Sequence, residues 1–217
     1  MNQVQNINSI GWDNMRKMID LFSGFGGASE AFVQAGWQIM RCENNPDLLN
    51  VKDTWNWDLS NDEEIDTLIH MPYWDNCDLI WASPPCLEFS NAYHAPKPRA
   101  LRSGIEFKPD LTLLHNALKI IKEKKPKYWV IENVAGASKI FSKEMGVNAP
   151  RQIVGPYFLW GNFPFISMPR EWEHKGKNNI SGGNHPLRSN KKAIVDLEVS
   201  RALLQAITEQ KQLTEWL

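Results

Sequence analysis

Cys86 directly follows Pro84 and Pro85, at the end of the apolar run Leu79-Ile80-Trp81-Ala82. Two prolines stiffen the main chain and forgo ladder hydrogen bonds, so they fix the direction of a thiol delivered to a strand end. A cysteine placed this way is a candidate nucleophile, because attack needs an accessible sulfur that can reach its thiolate form. Two other segments supply what such a nucleophile requires. Asp20-Leu21-Phe22-Ser23-Gly24-Phe25-Gly26-Gly27 reads as a glycine-rich turn whose three glycines let the backbone approach a ligand closely. Its spacing departs from GxGxxG, and Phe22 and Phe25 could flank a nucleoside. Glu132-Asn133-Val134 sets a carboxylate at the end of another buried run. A carboxyl group there can hydrogen-bond or pass a proton to a ring nitrogen, with Asn133 orienting it. Together the three segments point to covalent catalysis with a bound cofactor.

Weaker signals surround this core. Glu43 lies a little over twenty residues beyond the start of the glycine turn, the placement of an acid that accepts from ribose hydroxyls. Asp58, after Trp55 and Trp57, suits an adenine amino group or a helix N-cap, with Ser60 a competing cap. The stretch after Cys86 carries His94, Lys97, Arg99, Arg102 and Lys108 with few acids. It reads equally as a basic lid over a phosphate-bearing substrate or as a solvated loop.

The elements that must position these residues alternate. Lys17 to Phe22 reads as a strand, followed by the glycine turn and a helix over Ala28 to Ala35 that Gly36 stops. Trp37 to Cys42 is a second strand ending at Glu43, and Pro46 opens a helical turn. Asp62 to His70 and Asp110 to Lys124 are amphipathic helices on either side of the strand Cys77 to Ala82. Tyr128 to Ile131 and Tyr157 to Trp160 are further strands, and Ile194 to Gln210 is a closing helix. Strands alternating with helices predict an α/β fold with a doubly wound, mostly parallel sheet. Ligands bind such sheets at the carboxyl ends of the strands, where Asp20 to Phe22, Glu43, Pro85-Cys86 and Glu132 all fall. Two stretches break the alternation: Leu87 to Pro109 and Pro164 to Lys192 read as irregular.

Bulk properties set limits. The chain has 217 residues, 42% hydrophobic and 23% charged, with a net charge of -1, so a nucleic-acid partner would need basic residues gathered locally. Cys42, Cys77 and Cys86 show no metal-ligand spacing, which disfavours zinc and disulfides and favours a reducing cytoplasm. No apolar run has the length of a membrane span, and the first residues lack signal-peptide character.

Read together, these motifs resemble the DNA cytosine-5 methyltransferase family. Asp20 to Gly27 is similar to its first motif, Pro85-Cys86 with Phe89-Ser90 to its nucleophile motif, and Glu132-Asn133-Val134 to the motif at cytosine N3. Trp160-Gly161-Asn162 before Phe163-Pro164 looks like a segment of the vertebrate de novo enzymes. The resemblance implies a Rossmann-like methyltransferase fold, S-adenosylmethionine as cofactor with S-adenosylhomocysteine as product, and no metal. It implies cofactor contacts from Asp20, Phe22, Ser23, Gly24, Gly26, Gly27, Glu43, Asn44, Asp58, Leu59 and Pro84. It also implies catalysis by Cys86 and Glu132 supported by Asn133, on a cytosine flipped out of DNA. Leu87 stands where the family usually has glutamine, and the later paired arginines are missing, with Arg151, Arg99 or Arg102 as substitutes. Ser90 and Asn162 complete the expected substrate contacts.

On this reading residues 1–15 are a tail, 16–163 the catalytic core, 164–192 a much reduced target-recognition segment, and 193–217 a helix packing back on the core. Arg170, His174, Lys175, Lys177, His185 and Arg188 give the recognition segment its cationic side chains. So small a segment points to a phage-type or restriction-modification enzyme, monomeric and off the membrane, in the cytoplasm of a bacterial host. One branch of the family acts on RNA, so an RNA cytosine-5 methyltransferase is the alternative substrate reading. A catalytically silent binding protein is the alternative in kind.

Overall fold

The computed structural model describes residues 15–174 and 186–214. Seven strands form one sheet: β1 (Lys17–Leu21), β2 (Gln38–Glu43), β3 (Thr54–Asn56), β4 (Leu79–Ala82), β5 (Tyr128–Asn133), β6 (Gln152–Val154) and β7 (Tyr157–Asn162). Their spatial order is β3-β2-β1-β4-β5-β7-β6. Side chains alternate across a strand, so the register fixes two faces. Met18, Leu79 and Tyr128 stand in one row on one face, and Leu21, Ala82 and Ile131 stand in another row on the opposite face. All six are buried, which is why the central strands read as continuous apolar runs.

Helices cover both faces. On one side lie α1 (Glu30–Gln34) and α7 (Leu197–Thr214), whose Phe32, Val199 and Leu203 pack on Met18, Leu79 and Trp81. On the other lie α2 (Asp62–Ile69), α4 (Thr112–Lys124) and α5 (Ser138–Glu144), which bury Leu68, Ile120 and Phe141 against Ile80 and Ile131. Two short helices, α3 (Pro96–Arg102) and α6 (Arg188–Lys192), bury no residue. The C-terminal helix is bonded to the first one: Ser200 Oγ donates to the Ala28 carbonyl at 2.6 Å and accepts from Ala31 N at 3.2 Å.

The structure corrects several sequence expectations. The strand over Tyr157 to Trp160 extends to Asn162 and runs antiparallel to β5, as β6 does to β7, so the sheet is parallel only from β3 to β5. The stretch Leu87 to Pro109 is not wholly irregular, because α3 lies inside it. Pro96 is the first helical residue and Pro98 also falls in the first turn, where the missing N–H groups cost nothing. Both α5 and β6 go beyond the expected elements. The cap of α2 is Asn61, whose side chain accepts from Glu63 N and Glu64 N, rather than Asp58 or Ser60. Residues 1–14 of the expected tail lie outside the described residues, as do Lys175, Lys177 and His185.

Candidate active site

Strand order reverses between β1 and β4, since β1 continues outward to β2 while β4 continues to β5. A crevice opens at such a point, between connections that leave in opposite directions. The glycine turn leaves β1 there and Pro84-Pro85-Cys86 leaves β4, which places the expected cofactor turn and nucleophile on the two lips of one crevice.

The glycine turn begins with an unusual conformation. Phe22 has φ of 60°, a left-handed geometry that is an outlier for a bulky side chain and marks stored strain. It redirects the chain so that Ser23 N donates to the Cys42 carbonyl at 3.1 Å. Glu43, at the end of β2, reaches over the turn and accepts from Gly24 N at 2.8 Å, and from Asn44 N and Asn45 N at 3.0 and 2.9 Å. A carboxylate has about four acceptor sites, so one remains for a ligand hydroxyl.

Below the turn, Asp20 is fully buried and accepts from Ser29 Oγ at 2.6 Å. Burial pushes its pKa up from 3.8 to about 6, with the Glu43 charge adding to the rise and the Ser29 hydrogen bond and Arg41 charge opposing it. A carboxyl whose folded pKa stands above its unfolded value gives stability that is fully present below 3.8 and lost as pH rises through about 6. Asp20→Asn keeps an acceptor for Ser29 without the charge. Its stability relative to wild type should therefore rise between about pH 4 and about pH 6 in urea titrations. A difference that stays constant across that range would show that Asp20 is not the titrating group.

The nucleophile turn is held by its own backbone and by β5. Phe89 N and Ser90 N both donate to the Cys86 carbonyl, at 3.0 and 2.9 Å. Asn133 Nδ2 donates to the Pro84 carbonyl at 2.9 Å. Asn133 therefore clamps the turn that carries Cys86 to β5, while its Oδ1 accepts from Val134 N at 2.9 Å. Cys86 is half-buried. Burial raises its thiol pKa, and the Glu132 charge raises it further, against a backbone hydrogen bond that lowers it. The carboxylate of β5 thus stands close enough to the sulfur of β4 for each to feel the other's charge. At rest the sulfur keeps its proton.

Gly136 completes the clamp. A Cβ on it would overlap the Phe89 carbonyl and crowd Asn91 Oδ1 at 3.1 Å, so the turn after Glu132 and the turn after Cys86 touch through main chain. Gly136→Ala should displace the nucleophile by a fraction of an ångström to an ångström, enough to lower single-turnover methyl transfer roughly a hundredfold. A wild-type rate in that variant would show that the contact does not set the position of Cys86.

Other expected contacts are distributed as follows. Asp58 accepts from Ser60 N and Oγ, which hold its carboxyl below the usual range with help from the Asn44 side chain. Leu59 is buried, with its carbonyl held by Asn116. Ser90 Oγ accepts from Ala92 N, one turn beyond Cys86. Leu87 points outward and is 65% exposed. Arg99 is exposed on α3, whereas Arg102 donates to the Tyr93 carbonyl at 2.7 Å and lies over its ring. Asn162 stands on the wrong rim: it pairs with Trp129 and donates to the Lys127 carbonyl, at the amino end of β5. Arg151 Nε is bonded to the Phe163 carbonyl at 2.8 Å, beside that same rim. The antiparallel β7 carries its carboxyl end, and Asn162 with it, away from the crevice, and Arg151 stands at the amino end of β6 on that same rim.

The crevice also has what a nucleoside cofactor needs. Ser23 Oγ and Trp57 Nε1 are buried without a partner among the described residues, and they flank Glu43 on either side through Gly24 and the Trp57 N–H bonded to the Glu43 carbonyl. Nothing lies within 4 Å of where a Cβ on Gly24 would stand. Orphaned polar atoms beside open space over a glycine fit a polar ligand. No group of His, Cys, Asp and Glu among the described residues could hold a metal ion. No helix among them is long and apolar enough to cross a membrane.

A doubly wound α/β sheet with a glycine turn and the Cys86 turn on the two lips of the switch-point crevice defines the class as a Rossmann-like cofactor-binding enzyme fold. Residues 16–145 match the family described as C-5 cytosine-specific DNA methylase, and the chain belongs to that family. It is 30% identical over 163 residues to a frog virus 3 (isolate Goorha) protein described as "Probable DNA (cytosine-5)-methyltransferase", covering 72% of this chain and 69% of that one. It is 33% identical over 132 residues to the type II methyltransferase M.HindV of Haemophilus influenzae, covering 57% of this chain and 39% of that one. Among solved structures, the Entamoeba histolytica methyltransferase EhMeth aligns at 18% identity with a TM-score of 0.40, covering 61% of this chain and 42% of that one. The chain thus spans about two thirds of the viral relative and well under half of the other two proteins.

The residues that sequence reasoning passed over are Ser29, Arg41, Gly136 and Ser200. Only Arg41 left a visible signal, a charge inside the apolar run Ile39-Met40-Arg41-Cys42.

Proposed function

We propose that this chain transfers a methyl group from S-adenosylmethionine to C5 of a cytosine flipped out of DNA, through a covalent bond between Cys86 and C6. The observation that carries the reading is the pairing of Cys86 with Glu132 at adjacent strand ends, close enough that the carboxylate charge raises the thiol pKa. S-adenosylmethionine, when bound, supplies an electrophilic methyl group. Phe22, Ser23 and Gly24 of the glycine turn, Glu43 and the Asp58-Leu59 segment would hold it.

The chain's own residues do the rest. As cytosine binds, the Cys86 thiol proton passes to Glu132, which shares it with cytosine N3; this removes the charge that held the thiol pKa up and leaves Cys86 as the thiolate. Cys86 attacks C6, and Glu132 stabilises the electron density that gathers on the ring at N3. C5 then becomes the nucleophilic carbon. Once C5 carries the methyl group, a base from solvent takes the C5 proton, the electrons of that bond reform the C5–C6 double bond, and Cys86 leaves as the thiolate. Asn133 and Gly136 keep the sulfur and the carboxyl in register throughout. Residues 164–192 are the DNA-reading segment on this view, and direct readout from so few side chains supports a short or loose target sequence.

Nucleoside mass spectrometry after incubation with S-adenosylmethionine and duplex DNA tests this directly, with structured RNA in a parallel arm. 5-Methylcytosine is expected in the DNA arm. Product in RNA alone would transfer the reaction to the other substrate, and product in neither would sink the enzyme reading.

A further inference from the structure

Arg41 sits mid-strand in β2, between β1 and β3, and is 2% exposed. Removing a guanidinium from water is costly, and an apolar side chain of similar volume often serves stability as well or better. Stability alone therefore gives no reason for an arginine here. Its donors show another. Nε donates to Ser29 Oγ at 2.9 Å, Nη2 to the Gly26 carbonyl at 3.2 Å and to Glu30 Oε2 at 3.1 Å, and Nη1 to the Lys52 carbonyl at 2.9 Å. Two of the four bonds end on the turn that leaves β1 and a third on Glu30, the first residue of α1. The fourth ends on the bend before β3, which leads to Trp57, Asp58 and Leu59, beyond β2 on the same side of the crevice as the glycine turn.

The fit is close. Gly26 has φ of 74°, and a Cβ on it would overlap the guanidinium, so turn and arginine are shaped to each other. Ser29 relays the contact, accepting from Arg41 and donating to Asp20 at the end of β1. The fork of a guanidinium can hold several acceptors at fixed angles, which an ammonium cannot do.

We propose that Arg41 is the positioning residue of the cofactor site. It braces Gly26, Ser29 and Glu30 from below so that Ser23 and Gly24 meet the cofactor in a preformed shape, and it ties that turn to the wall that carries Asp58. This rests on the function proposed above, and it extends that function to a residue that touches neither cofactor nor substrate.

The test is isothermal titration of S-adenosylmethionine into the full chain and into Arg41→Met, Arg41→Lys and Ser29→Ala, below each variant's melting temperature. Arg41→Met should weaken binding about tenfold, the size of one charge-assisted hydrogen bond lost from the turn, with the loss in KM for cofactor rather than in kcat. Arg41→Lys should recover only part of it, and iodoacetamide should alkylate Cys86 at the wild-type rate in all variants. Wild-type affinity in a folded Arg41→Met would overturn the proposal, and so would equal loss in kcat and in Cys86 alkylation, which marks general disruption. Should Arg41→Met fail to fold, Ser29→Ala decides, because it keeps the arginine and removes the hydroxyl through which Arg41 reaches Asp20. Unchanged affinity there overturns the proposal equally. A wild-type chain that binds no S-adenosylmethionine would instead refute the function on which this rests.

Discussion

Cys86→Ala should abolish covalent capture of duplex DNA carrying 5-fluorocytosine, while S-adenosylmethionine binds with nearly unchanged affinity. Fluorine at C5 cannot leave as a proton does, so an enzyme that attacks C6 is trapped on its substrate as a band resistant to denaturing gels. Removing the only nucleophile of a covalent route costs on the order of a thousandfold or more in rate, since no second group can form the intermediate. Cofactor affinity should survive because the glycine turn and Glu43 are held by β1, β2 and Arg41, with no bond to the Cys86 side chain among those described. A variant that still forms the adduct would move the nucleophile elsewhere. Cys42 and Cys77 are poor candidates, because burial pushes both thiols up, Cys77 to about 12.

Glu132→Gln should produce two opposite changes in one protein. Methyl transfer should fall by about a hundredfold to ten-thousandfold, the usual range for loss of a positioned acid-base group, because an amide cannot lend its proton to N3. The Cys86 thiol should at the same time become more acidic, since the carboxylate that raises its pKa is gone. Alkylation by iodoacetamide as a function of pH reads this directly: the rising limb should shift to lower pH in the variant. General damage to the site would slow both reactions, so the divergence is the diagnostic sign. A limb that does not move would show that the two groups are uncoupled, and the proposed proton handover would fail with it.

The sequence was most legible where a residue type and a strand end coincide. Pro84-Pro85-Cys86, Glu132 and the glycine turn each follow an apolar run, and a parallel sheet collects the carboxyl ends of its strands on one rim. Strand direction is not written locally in the same way. Tyr157 to Asn162 has the apolar character of any buried strand, and only its pairing with β5 shows that it runs backward and takes Asn162 to the far rim. Prolines misled in α3 because they mark loops more often than the first turn of a helix. The roles of Ser29 and Ser200 are invisible without the fold, since both are small polar residues with partners as far as 12 and 172 positions away. Arg41 could have been suspected, for a charge inside a buried strand must find acceptors somewhere.

The clamp formed by Asn133 on Pro84 and by Gly136 under Phe89 has a practical consequence for engineering. Those contacts end at Asn91, so the sulfur and its carboxyl are built as one rigid part before the chain enters α3. Everything from Ala92 to Pro109 is hung outside that part and buries little besides Ala95. It can be treated as an exchangeable cassette. Loops of different length or charge could be grafted between those points to change how DNA is gripped, leaving the reacting atoms where they are.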